Sequence, residues 1–155
     1  MLQRIQTIYL LLVIAVCAVA FFIPTMSFSA PEAVYTLGMS GFSKMGENGA
    51  ELIQSTLGLS LMTGIIPLIA LITLNLYKKR PLQMRLCVFN MLLMLGYYGL
   101  LFFYRYMIMK ETASDVIVSM EWPAIMPAVG IVLTYLAFRG IAKDEALVRS
   151  MDRIR

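Results

Sequence analysis

The side chains able to do acid–base or metal chemistry are few and scattered. The carboxylates are Glu32, Glu47, Glu51, Glu111, Asp115 and Glu121, then Asp144, Glu145 and Asp152 near the C-terminus. There is no histidine, and the only cysteines are Cys17 and Cys87. Without histidine, the Ser–His and Cys–His pairs of nucleophilic catalysis are excluded. A zinc or haem site wants clustered Cys or His ligands, which these two cysteines do not supply. At about 1.5 Å of rise per helical residue, they also sit roughly 18 Å apart in depth, too far for a disulfide. No metal and no cofactor is expected. Catalysis survives only as a distant reading that rests on the carboxylates between the apolar segments.

A second constellation could bind rather than react. Gln3, Arg4, Gln6 and Arg85 fall at the same end of the chain's apolar segments as Asp144 and Glu145. Arg4 or Arg85 pairing with Asp144 or Glu145 would clamp the C-terminal tail to the rest of the protein. In that tail, Leu147, Met151 and Ile154 step by four and three, as one helical face does. Glu145 and Arg149 are four apart in the favoured acid-first order, with Asp152 and Arg153 following. The tail is read as an amphipathic helix after a break near Gly140. It would lie on anionic lipid, dock on a protein, or stand solvated, and the acids among its bases favour a protein. At the opposite end, Arg105 and Trp122 are candidate interfacial anchors. An ion pair of Arg105 with Glu121 is the alternative.

The elements that must position these groups are apolar spans. Sixty per cent of the residues are apolar and 14% charged, against about 25% charged in soluble domains. No charge lies between Arg4 and Glu32, Glu51 and Lys78, Arg85 and Arg105, or Glu121 and Arg139. A membrane-crossing helix needs roughly 20 mostly apolar residues, and lipid forces the backbone to pair internally. Four transmembrane helices are therefore expected at 5–24, 56–77, 86–104 and 122–139. They form an all-α four-helix bundle in one domain of 155 residues. The first apolar run is longer than a signal peptide's core of about 7–15 residues, so an uncleaved span is expected.

The loops 25–55 and 105–121 then lie on one side, and both termini with the tail 140–155 on the other. Ten of the thirteen basic residues fall on the terminal side. Basic residues are retained in the cytoplasm, so both termini are expected there. The net charge of +4 consists of these topological signals and does not point to nucleic acid. In loop 25–55, Ala33–Leu37 is β-prone and a turn at Gly38–Gly41 would fold it back on Phe42. This is read as a short β-hairpin or, equally, an irregular loop. A hairpin alone is marginal in water and would need a surface to lean on.

Within the spans, Asn75 and Asn90 fall at similar depth on adjacent helices and are expected to act as hydrogen-bonding glue. Pro67 frees a carbonyl that Thr63 is placed to re-pair. Pro123 suits a first turn and Pro127 bends the entry to the fourth helix. Ser60-x-x-x-Gly64 and Ala124-x-x-x-Ala128 are weak signals for close helix approach.

Three blocks, MLQRIQTIYLLL, LYKKRPLQMRLCVFN and FRGIAKDEALVRSMDRIR, together resemble a family of small four-span membrane proteins of Bacteroidota, known as domain of unknown function 4293. The resemblance runs from residue 1 to 155 and implies a multi-pass protein of the bacterial inner membrane. It implies no activity. The expected role is a non-catalytic accessory or scaffold subunit that contacts lipid and other membrane proteins, or its own copies, through the terminal face and tail. The alternative is a small oligomeric transporter or lipid-binding protein with a path between the second and third helices.

Overall fold

The structure is a computed structural model that describes residues 2–30, 33–38, 41–46, 49–77, 79–111 and 117–152. Its four long helices are α1 (Leu2–Phe22), α2 (Leu57–Asn75), α3 (Arg80–Glu111) and α4 (Met126–Asp152). All four are long and apolar enough to cross a membrane. α1 packs on α2 and α4, and α3 packs on α2 and α4, so sequence neighbours are spatial neighbours around a square bundle. The short turn between α2 and α3 makes those two antiparallel neighbours, while the longer connections carry the strands.

The inward stripe of α3 shows how the bundle is built. Gln83, Cys87, Asn90, Met94, Tyr97, Leu101 and Ile108 are buried, at the alternating spacing of four and three that keeps one helix face on its neighbours. Between them, Val88, Phe89, Leu92, Leu95, Phe102 and Phe103 are exposed. The outward face is as apolar as the inward one, as a lipid-facing surface would be, so burial here follows side-chain fit rather than polarity.

The helix bounds depart from the spans marked out by charge. α3 begins at Arg80 rather than 86 and ends at Glu111 rather than 104. Its 32 residues measure about 48 Å at 1.5 Å each, well beyond a bilayer's hydrocarbon core of about 30 Å. Charged residues end the apolar segment but do not stop helical hydrogen bonding in water. For the same reason α4 runs through Gly140 without the expected break.

The chain is not all-α. Beyond the bundle lies a five-stranded antiparallel sheet of β1 (Met26–Ala30), β2 (Ala33–Gly38), β3 (Gly41–Gly46), β4 (Gly49–Gln54) and β5 (Ile117–Met120), in the order β4-β3-β2-β1-β5. The expected hairpin is present as β2 and β3, with Leu37 opposite Phe42. It is the middle of a larger sheet. β1 shows its signal in the alternation Met26-Ser27-Phe28-Ser29, since Met26 and Phe28 are buried while Ser27 and Ser29 are not. β5 comes from the second loop and pairs with β1, Phe28 opposite Val118.

The support this sheet needs is the extension of α3. Met26, Phe28, Leu37 and Phe42 join Leu101 and Ile108 in one continuous core that also reaches Met94 in the bundle. Phe42 stacks on Tyr35 at 5.4 Å and meets Phe28 edge-on at 5.9 Å. Each large apolar side chain taken from water there contributes about 1.5–3 kcal/mol. Gly41 carries a φ of +131°, and a Cβ there would lie 2.6 Å from Gln54 O. Glycine is required both for the backbone angle and for the closeness of β4.

One detail of the helices differs from expectation, and one, Pro123 in a first turn, agrees with it. Thr63 donates its hydroxyl to Leu59 O at 2.8 Å, one turn before the carbonyl that Pro67 frees. At the start of α4, Trp122–Ile125 is a 3-10 turn with a proline in its first positions. There Ala128 N donates to the Tyr98 hydroxyl at 3.0 Å, and that hydroxyl donates to Ala124 O at 2.8 Å. Tyr98 is thus inserted where an i to i−4 helical bond would otherwise close.

Candidate functional site

The end of the bundle opposite the sheet gathers the start of α1, the turn between α2 and α3, and the end of α4. Its apolar floor is Leu10, Cys87, Ala137 and Ile141, with Tyr9, Leu74, Met84 and Phe138 packed around them. On this floor stands a bond between distant parts of the chain. Gln6 Nε2 donates to Asp144 Oδ2 at 2.7 Å, and Gln6 is buried. A carboxylate acceptor makes this a stronger bond than one between neutral groups.

Gly140 makes room for it. A Cβ at Gly140 would lie 3.0 Å from Gln6 Cγ and 3.3 Å from Nε2. The glycine expected to break the helix instead lets the Gln6 side chain cross α4. Arg80 Nη1 reaches the Asp144 backbone carbonyl at 3.4 Å, a long contact that draws α3 to the same point. Gln83 is buried nearby on α3.

The bonds described at Asp144 come from Gln6 and Arg80, and the arm of the expected clamp that runs through Arg4 lies outside the described side chains. Arg85 is exposed. Gln3 and Arg4 lie in the first turn of α1, and their side chains are outside the described set, as are those of Arg149, Met151 and Asp152 in α4. Arg153 lies outside the described residues. Glu145 is half-buried and makes an interaction of its own. Leu147 is 50% exposed and Val148 36%. Arg80 and Gly140 were missed as site residues because an arginine beside a turn reads as a topological signal and a glycine in a helix reads as a breaker.

At the sheet end, Arg105 is half-buried within α3 and Trp122 is 48% exposed at the first position of the 3-10 turn. Glu121 accepts a hydrogen bond from Ser27 Oγ at 2.7 Å. That bond joins the two loops and engages the carboxylate considered for Arg105. Asn75 is exposed and donates to its own helix at Leu71 O, so the Asn75–Asn90 pair is not formed. Gly64 and Ala128 are also exposed, and a Cβ at Gly64 would meet nothing within 4 Å. The close helix approach lies instead at Gly130, against which Met94 rests.

A small apolar pocket opens in the sheet-side half of the bundle. Its lining includes Cys17, Thr63, Met94, Tyr97, Met126 and Pro127, contributed by all four helices. Tyr97 is buried, and its hydroxyl lies 3.2 Å from Thr25 Oγ1. Among the described residues, no cluster of three or more His, Cys, Asp or Glu side chains is placed to hold a metal ion.

Four apolar helices of spanning length, a sheet seated on one of them and a polar lock at the opposite end are compatible with a small multi-pass membrane protein. The chain matches the family model described as Domain of unknown function (DUF4293) over residues 2–154, and it belongs to that family. No curated protein matches it.

Proposed function

We propose that this chain is a non-catalytic subunit of a bacterial inner membrane complex, an accessory or scaffold component that docks a partner through its terminal face. The observation that carries this reading is the course of α4. Its packed stripe of Gly130, Thr134, Ala137 and Ile141 ends at Asp144, where Gln6 locks it. The helix then continues to Asp152, and Leu147 and Val148 stand exposed one turn beyond the lock. A helix braced at its root loses little freedom when it binds, which favours affinity.

The distribution of basic residues supports the orientation. Lys79, Arg80, Arg85, Arg139 and Lys143 all lie toward this end, so both termini are placed in the cytoplasm by the positive-inside rule. The sheet would then face the outer side.

The test is purification of the tagged protein at native level in gentle detergent, followed by mass spectrometry. It is compared with a truncation after Ala146, which keeps Ile141 and Asp144 in place. A stoichiometric protein retained by the full chain and lost from the truncation is expected. Equal recovery of the same proteins from both would sink the reading. The pocket between the four helices favours the second reading, a lipid-binding or carrier role, because it is apolar and bears the hydroxyls of Thr63 and Tyr97. Stoichiometric lipid in the purified protein, with no protein partner, would move the conclusion there.

A further inference from the structure

Asn90 is 1% exposed, and neither Oδ1 nor Nδ2 has a hydrogen-bond partner in the protein. It lies five positions into the apolar part of α3 from Arg85. An amide taken from water with nothing to bond costs several kcal/mol in an apolar medium. A buried polar group in that state points to a ligand that satisfies it.

The helix register shows what surrounds it. On the sheet side, Met94 rests on Gly130 of α4. On the terminal side, Cys87 clusters with Ala137 of α4, Leu74 of α2 and Leu10 of α1. Asn90 stands between Cys87 and Met94, and Thr134 between Gly130 and Ala137, so the two residues share one level. Thr73 stands within about one turn of that level on α2, between Ala70 of the sheet-side core and Leu74 of the terminal-side cluster. Both threonines are buried. Each donates its hydroxyl to its own helix at 2.7 Å, Thr73 to Ile69 O and Thr134 to Gly130 O. Their donors are used, and their oxygens can still accept. The core is thus two apolar clusters with a polar layer between them.

We propose that this layer is a binding site for an internal water molecule held by Asn90 and shared with Thr73 and Thr134. Water fits the inventory because it can accept from Nδ2 and donate to Oδ1 or a threonine oxygen. Buried waters commonly make about three such bonds. A cation is a poor match, because no carboxylate stands at this level to balance it. Met94 closes the layer toward the apolar pocket, and the Leu10–Cys87–Ala137 cluster closes it on the other side.

The test exploits a sparse label. The chain has three asparagines, Asn48, Asn75 and Asn90, so asparagine-selective ¹⁵N labelling of the full protein in lipid nanodiscs gives three side-chain amide pairs. Loss of one pair in Asn90→Leu, or in Asn90→Thr should leucine fail to fold, assigns the site. We expect a through-space cross-peak from the Asn90 amide to the water resonance, of the sign given by a long-lived bound water. It should weaken in Thr134→Val or Thr73→Val. An Asn90 amide without that cross-peak, or one unchanged in both threonine variants, overturns the proposal.

Discussion

Gln6 and Asp144 lie 138 positions apart in sequence and are joined by a 2.7 Å hydrogen bond. The first helix thereby closes on the last, and the carboxylate accepts from a neutral amide. Hydrogen bonds to charged groups contribute about 1.5–3 kcal/mol. Gln6→Ala and Asp144→Ala are each expected to destabilise the purified protein by roughly that amount. The double variant should lose clearly less than the sum, by about 0.5 kcal/mol or more, as residues sharing one bond do. Thermal unfolding of the four proteins in one detergent measures this. Strict additivity would mean that the bond contributes nothing.

Gly140→Ala sets two effects against each other. Within a helix, alanine is favoured over glycine by about 0.8–1.0 kcal/mol. The new methyl would crowd Gln6 at 3.0 Å. In the native background the change is expected to be neutral or destabilising. In a Gln6→Ala background it should stabilise by close to the full propensity difference. A gain of equal size in both backgrounds would show that Gln6 does not occupy the space above Gly140.

The sheet depends on one backbone conformation. Gly41→Ala meets both a φ of +131° and a backbone oxygen 2.6 Å away. Strained conformations of this kind cost about 1–3 kcal/mol before the collision is counted. The variant is expected to lose the β3–β4 pairing while the bundle persists. Limited proteolysis should cut between residues 41 and 54 well before the helices. Unchanged protection of that segment would contradict the assigned geometry.

Tyr98→Phe removes a hydroxyl that both accepts from Ala128 N and donates to Ala124 O. Both backbone groups would be left without that partner near the start of α4, where Pro127 has already altered the ladder. A loss of about 1–3 kcal/mol is expected, the cost of leaving the buried Ala124 carbonyl unpaired together with the lost bond from Ala128 N. Tyr97→Phe gives up side-chain hydrogen bonds with Thr25 and Thr63 but strands no backbone group, and should cost about 1 kcal/mol. Thermal unfolding that ranks the two in the opposite order would contradict the bridging role.

Orientation is open to direct labelling. In a variant with Cys17 and Cys87 changed to alanine, a cysteine at Lys44 or Ser119 should react with a membrane-impermeant thiol reagent added to intact cells. One at Ser150 should react only after lysis. Labelling of Ser150→Cys in intact cells would reverse the proposed topology.

The four spans were legible because lipid imposes a local rule: a long stretch without charge must be a helix, whatever surrounds it. The β2–β3 hairpin was legible for a related reason, since its turn and its alternating residues lie within a few positions of each other. The site was partly legible. Gln6 and Asp144 stood out as polar groups at one end of apolar spans, but their pairing with each other did not. That choice depends on Gly140 leaving a path across α4 and on where Arg80 falls once α3 begins, and neither is a property of neighbouring residues. The whole sheet was hidden in the same way. Met26 and Phe28 alternate with serines, yet β5 reaches β1 across more than eighty positions. The sheet packs where α3 runs on past its apolar segment, sharing one core with Leu101 and Ile108. Local apolar periodicity determined what each segment is, and contacts between distant segments decided which groups meet. Their energies depend on shape and distance, which the sequence does not carry in any single stretch.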